Sequence, residues 1–111
     1  MVLNLNNKGF AKPKPGAARV LAYDLVSQVN RNGAYANLRL PELLADSDLD
    51  LRDRAFATEL AYGTLRLQGK HDYAISKKAD RPIEELDEKI VDLLRLGIHQ
   101  IFEMRVPIHA A

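Results

Sequence analysis

The sequence of 111 residues contains no cysteine and no tryptophan, and its aromatic fraction is only 6%. Without cysteine there is no disulfide framework, no cysteine-type zinc site, no iron–sulfur cluster and no thiol nucleophile. Long apolar runs are also missing; none reaches the roughly 18–20 residues that a membrane span needs. No continuous apolar segment follows Lys8, Lys12 and Lys14, so the pattern of a secretory signal is lacking. The expectation is a cytoplasmic protein, or a piece of one. A surplus of charge is absent as well, with 16 Lys and Arg against 15 Asp and Glu, a net +1. Bulk charge therefore gives no mark of a nucleic-acid binder. What remains is ordinary for a folded domain: 47% hydrophobic and 28% charged residues, in a length that fits one domain.

Residues 1–16 read as a disordered basic arm, rich in Asn, Lys, Pro and Gly. From Ala17 the period becomes helical. Ala18, Leu21, Ala22, Leu25, Val26 and Val29 make one apolar stripe, stopped at Gly33. Residues 34–45 form a second, short helix with Leu40, Leu43 and Leu44 on its apolar side. Pro41 either kinks it or opens a new turn. An Asp-rich loop follows, in which Asp48 or Asp50 caps a third helix over about 51–67. That helix carries two apolar rows, one with Leu51, Ala55, Tyr62 and Leu65 and one with Phe56, Leu60, Gly63 and Leu67, so it belongs at the centre. A glycine inside a helix costs about 1 kcal/mol relative to alanine, so Gly63 predicts close approach of another helix. Gly69 ends or bends the third helix, and a shorter piece covers about 70–78. The last long helix starts near Asp87, a plausible N-cap, with Glu84, Glu85 and Glu88 favourable beside its positive end and Glu85 paired with Lys89. Leu86, Ile90, Leu93, Leu94, Gly97, Ile98, Ile101 and Phe102 give it the strongest helical period in the chain, ended by Val106-Pro107. No segment alternates like a strand. The chain is predicted to be all-α, with five helical pieces.

The near-neutral total hides blocks. Residues 1–34 hold five bases against one acid, and 35–51 hold one base against four acids. Residues 52–81 hold seven bases against four acids, and 82–111 three against six. If the two basic blocks fold together, Arg19, Arg31, Arg52, Arg54, Arg66 and Lys70 make a face that attracts phosphate. Tyr23 or Tyr35 could then stack on an unpaired base. Ordinary solvated helix surfaces have the same charges.

Catalytic patterns are missing. His71, His99 and His109 are scattered, with no second ligand at a metal-binding spacing. His99 belongs at a packing edge beside the apolar stripe. There is no glycine-rich phosphate loop, no strand–glycine–helix cofactor turn and no nucleophile elbow. Asp53 and Glu59, at i and i+6, face different directions and are no acid–base pair.

Five strings in order carry a resemblance. They are Gly33-Ala34-Tyr35-Ala36-Asn37-Leu38, Arg52-Asp53-Arg54-Ala55-Phe56, Glu59-Leu60-Ala61-Tyr62-Gly63-Thr64-Leu65-Arg66, Leu93-Leu94-Arg95-Leu96-Gly97-Ile98-His99-Gln100 and Val106-Pro107-Ile108-His109-Ala110-Ala111. Over about residues 17–111 the chain resembles the NusB-like N-terminal domain of ribosomal RNA small-subunit methyltransferase B (the Sun/Fmu family). It is less similar to the antitermination factor NusB itself.

The resemblance implies a NusB-like helical bundle that binds RNA, probing small-subunit rRNA for a cytosine-C5 methyltransferase. In the full-length family member a separate catalytic domain uses S-adenosylmethionine and cysteine chemistry. This chain, without cysteine or a cofactor loop, is expected to hold neither catalytic residues nor cofactor. The family's domain continues with further helices beyond the last string. The bundle is therefore expected to lack its last helices, leaving an apolar face open to self-association. By the same resemblance, Lys12, Lys14 and Arg19 are the RNA-contacting candidates, followed by Arg52 and Arg54. Tyr62, Gly63, Leu94 and Gly97 are expected in the core. Two other functions fit the same residues. An antitermination module would bind RNA more tightly once a ribosomal protein is added. A protein-docking domain would ignore charge reversal at Lys12, Lys14 and Arg19.

Overall fold

A computed structural model describes residues 16–111. Nearly all of the proposed basic arm, with Lys12 and Lys14, lies outside those residues. Five α-helices follow in order: α1 (Ala17–Asn32), α2 (Ala36–Ala45), α3 (Leu51–Arg66), α4 (Gln68–Ala79) and α5 (Glu88–Ile98). A π turn, His99–Glu103, continues α5, and short 3₁₀ turns occupy Ile83–Glu85 and Ile108–Ala110. The described residues contain no strand, so the chain is all-α.

The core forms between α1 and α3. The predicted stripe of α1 is buried from Ala18 to Val26, and α3 answers it with Ala57, Leu60 and Ala61, all fully buried. Small side chains at Ala22, Ala57 and Ala61 let the two helices approach closely. Gly33 ends α1 with φ 70°, a conformation that glycine adopts without a Cβ penalty. Helix α2 lays Leu40 on the core and continues through Pro41 without ending.

Capping follows sequence chemistry. The Asp50 carboxylate accepts from the Asp53 amide at 2.8 Å and opens α3. Asp87 accepts from the amides of Lys89 and Ile90 and opens α5. The carbonyl of Leu44, near the end of α2, accepts from both Ser47 Oγ at 2.7 Å and Arg54 Nη1 at 3.0 Å. Two groups thus close a helix end that would otherwise leave carbonyls unpaired.

Several expectations are corrected. The break between α3 and α4 falls at Leu67, and Gly69 lies inside α4. Of the two rows on α3, the start of the first is outside: Leu51 is 85% exposed and Ala55 is exposed too. Glu85 sits in the 3₁₀ turn before α5, so it makes no helical pair with Lys89.

The largest correction concerns α5. Its apolar stripe faces outward: Ile90, Leu93 and Leu94 are exposed, and Phe102 in the π turn is 70% exposed. Its inward face holds Asp92, Arg95, His99 and Gln100, together with Val91 and Leu96. Burying these polar groups is tolerable only because each finds a partner. The outward stripe instead lines an apolar groove with Ile75 and Ala79 of α4 and with Leu86, about 490 Å³ in volume.

Candidate nucleic-acid interface

Arg19 projects from α1, half-buried, across the start of the domain. Its Nε donates to Gln100 Oε1 at 2.7 Å, and its guanidinium lies over the Phe56 ring, 4.9 Å from the centroid. Three elements therefore fix one arginine: α1, α3 and the π turn. Arg52 lies one helical turn before Phe56 on the same side of α3 and is exposed. Arg105, also exposed, is the second residue after the π turn and has φ 61°; the next amide, Val106, donates to the Gln100 carbonyl at 2.8 Å. The structure thus sets Arg19 on Phe56 and Gln100, with Arg52 one helical turn from Phe56 along α3 and Arg105 in the segment whose Val106 amide bonds the Gln100 carbonyl. Arg54 is not part of that group, because its guanidinium is committed to the Leu44 carbonyl. Nothing in the sequence pairs Gln100 with Arg19; the π turn brings it there. Of the tyrosines, Tyr35 is 73% exposed at the start of α2, whereas Tyr23 is half-buried and accepts from Arg31 Nη2 at 3.4 Å.

A second polar cluster sits under α5. Asp92 is 1% exposed and accepts from Asn30 Nδ2 at 3.2 Å, Arg31 Nη2 at 3.1 Å and Arg95 Nη1 at 2.9 Å. Arg95 also grips Asp72 with two bonds of 2.6 and 2.8 Å. Every charge here has a counter-charge, and the cluster's chemistry is that of a lock between α1, α4 and α5. It offers no unpaired acid or base for catalysis.

The third cluster joins His71 of α4 and His99 of the π turn. Their rings meet edge to face, with His71 Nε2 and His99 Nδ1 3.0 Å apart. Both are buried, and burial pushes both imidazoles below the ordinary histidine range; for His99 the neighbouring His71 pushes the same way. His99 is therefore a core residue and not one at a packing edge. Its ring lies directly on Gly63, the close approach that the glycine predicted; a Cβ at Gly63 would overlap the imidazole. Of the other expected core residues, Tyr62 and Gly97 are half-buried, and Leu94 is 43% exposed. Among the described residues, no group of three or more His, Asp and Glu is placed to hold a metal ion, and no helix is long and apolar enough to cross a membrane.

This arrangement is that of a NusB-type helical domain. The NusB family profile matches residues 16–111, and the chain belongs to that family. It is 47% identical over 94 residues to a Mycobacterium tuberculosis protein named "Putative methyltransferase", covering 85% of this chain and 21% of that one. It is 34% identical over 99 residues to the ribosomal RNA small subunit methyltransferase B of Pseudomonas putida, covering 89% of this chain and 21% of that one. The enzyme of the same name from Pseudomonas syringae is 33% identical over 99 residues, which are 20% of its length. The chain thus spans about a fifth of the curated relatives it matches. No solved structure matches it significantly.

Proposed function

We propose that this chain is the rRNA-holding domain of an S-adenosylmethionine-dependent methyltransferase that modifies carbon 5 of a cytosine in 16S rRNA. The observation that carries the proposal is the family match over the whole described domain, joined to relatives named as small-subunit rRNA methyltransferases over the same span. Arg19, Arg52 and Arg105 supply a fitting surface. Arg52 and Arg105 present their charge outward, and Arg19 presents a guanidinium already ordered by Phe56 and Gln100. An ordered guanidinium loses less freedom on meeting a phosphate than a free one.

In this reading the cofactor and the methyl transfer lie outside this domain: the described residues contain no strand from which a glycine turn could lead into a helix, and the chain has no cysteine to act as the nucleophile. Methyl transfer then belongs to a further part of the protein, and this domain contributes affinity and position. The apolar α4–α5 groove supports a second contribution: it receives part of the remaining four-fifths of a relative-sized protein, the part carrying the catalytic domain. An isolated chain, with that groove uncovered, would meet a second copy there instead.

The test is to extend expression through the coding sequence downstream of Ala111 and to assay methyl transfer to 16S rRNA. The expected result is cytosine-C5 methylation that drops when residues 1–111 are deleted. A downstream sequence without a cofactor-binding α/β domain, or methylation unchanged by the deletion, would refute the proposal.

A further inference from the structure

Among the described residues, three side-chain ties join the π turn to the body of the domain, Arg19–Gln100, Lys70–Glu103 and His71–His99, and the last of these is the buried one. His71 and His99 are 1% and 2% exposed, and their nitrogens are 3.0 Å apart. A bond at that distance needs one nitrogen bearing hydrogen and one bare. A single added proton could be shared; a second would leave two N–H groups facing each other and two cations in contact. Gly63 removes the room in which the His99 ring could turn away, since its backbone already abuts that ring. The pair therefore has one workable geometry and two workable charge states.

We propose that the His71–His99 pair is a proton-sensitive latch that holds the π turn against α3 and α4 at neutral pH and releases it on acidification. The surroundings set the sign. From α4, Lys70 opposes protonation of His71 and Asp72 favours it; from α5, Arg95 opposes it. From α3, Arg66 opposes protonation of His99 and Glu59 favours it; from the π turn itself, Glu103 favours both. Glu103 is tied to Lys70 at 2.6 Å, so its charge is largely answered already. Burial dominates both imidazoles.

The latch has a consequence for the basic surface. Gln100 is the residue after His99, and its side chain is what Arg19 Nε donates to. Its backbone carbonyl receives the Val106 amide, and Met104 donates to His99 O at 3.0 Å. Opening the π turn frees Arg19 and loosens the segment bearing Arg105. Single-turn π segments inside helices recur at functional places, where they allow a local rearrangement that a regular helix would resist.

The direction with pH follows from proton uptake. The open state takes protons in the ordinary histidine range near 6.5, while the latched state refuses them until a lower pH. The latched form is thus fully favoured above about pH 7 and loses ground as pH falls below that range. The loss is roughly tenfold in opening constant per pH unit for each proton excluded.

The test is amide hydrogen exchange at Met104 and Val106 between pH 7.5 and 5, converted to opening constants and referenced to the amides of α1. The expected result is an opening constant that rises at least tenfold over this range, while α1 stays protected. It should become flat in the His71→Gln/His99→Gln double variant. Exchange that tracks α1 at every pH, or a pH dependence that survives in the double variant, would overturn the latch. Should the double variant not fold, nitrogen-15 imidazole spectra of the unaltered chain decide: a pair carrying no more than one proton at pH 6 supports it, and both rings protonated there contradicts it.

Discussion

Gly63 and His99 are in direct contact, a helix backbone against an imidazole ring, with no room for a methyl group between them. The usual ranking of helix formers is therefore reversed at this position. An exposed Gly→Ala change in a helix gains up to about 1 kcal/mol. Gly63→Ala should instead cost about 1–3 kcal/mol, the range for forcing extra volume into a packed site. Urea denaturation should show a lower midpoint with an unchanged slope.

Asp92 is the point where α1 and α5 are joined by charge. Asp92→Ala leaves Arg95 buried beside an empty space and removes the only acid that Arg31 pairs with among the described residues. Breaking one side of a buried ion pair costs about 3–5 kcal/mol when the remaining charge is left uncompensated; Arg95 keeps Asp72 and Arg31 is partly exposed, so the cost should fall at or below the lower end of that range, still a large share of the roughly 5–15 kcal/mol that holds a domain together. Circular dichroism melting should show a fall well beyond that of Asp92→Asn, which keeps an oxygen for one arginine.

Arg19 and Arg52 should separate stability from binding. Arg19→Ala removes a bond to Gln100 and a cation over Phe56, about 1–2 kcal/mol together, so it lowers both the unfolding midpoint and RNA affinity. Arg52→Glu touches no partner seen among the described residues; it should leave the midpoint unchanged and weaken RNA binding several-fold. Paired melting and filter-binding measurements check both.

The outward stripe of α5 predicts association of the isolated chain. Sedimentation should give a mass that rises with concentration, and Leu94→Lys, at a position 43% exposed, should restore the monomer at little cost in stability.

Much of the fold is legible because local chemistry sets it. The α1 stripe and the caps at Asp50 and Asp87 follow from spacing and side-chain oxygens alone. The orientation of α5 does not, because periodicity finds a stripe without saying which way it faces. Burial of Asp92, Arg95 and His99 depends on partners 23 to 62 residues away in sequence, on other helices: Asn30, Asp72 and His71. The helix break at Leu67 is not legible either: Gly69 is the stronger local signal, yet it lies inside α4. At the basic surface, Arg19 and Arg52 were readable as charges. Arg105 was readable as a charge too, but its place was not, since the π turn brings its segment to Gln100.

The most direct test is titration of the chain with a small-subunit rRNA hairpin at low and at moderate salt. Phosphate contacts release counterions, so each adds close to one unit to the slope of log affinity against log salt. The account predicts binding at low salt that weakens steeply with added salt, with a shallower slope for Arg52→Glu. Absence of binding at low salt, or binding indifferent to salt, would contradict it.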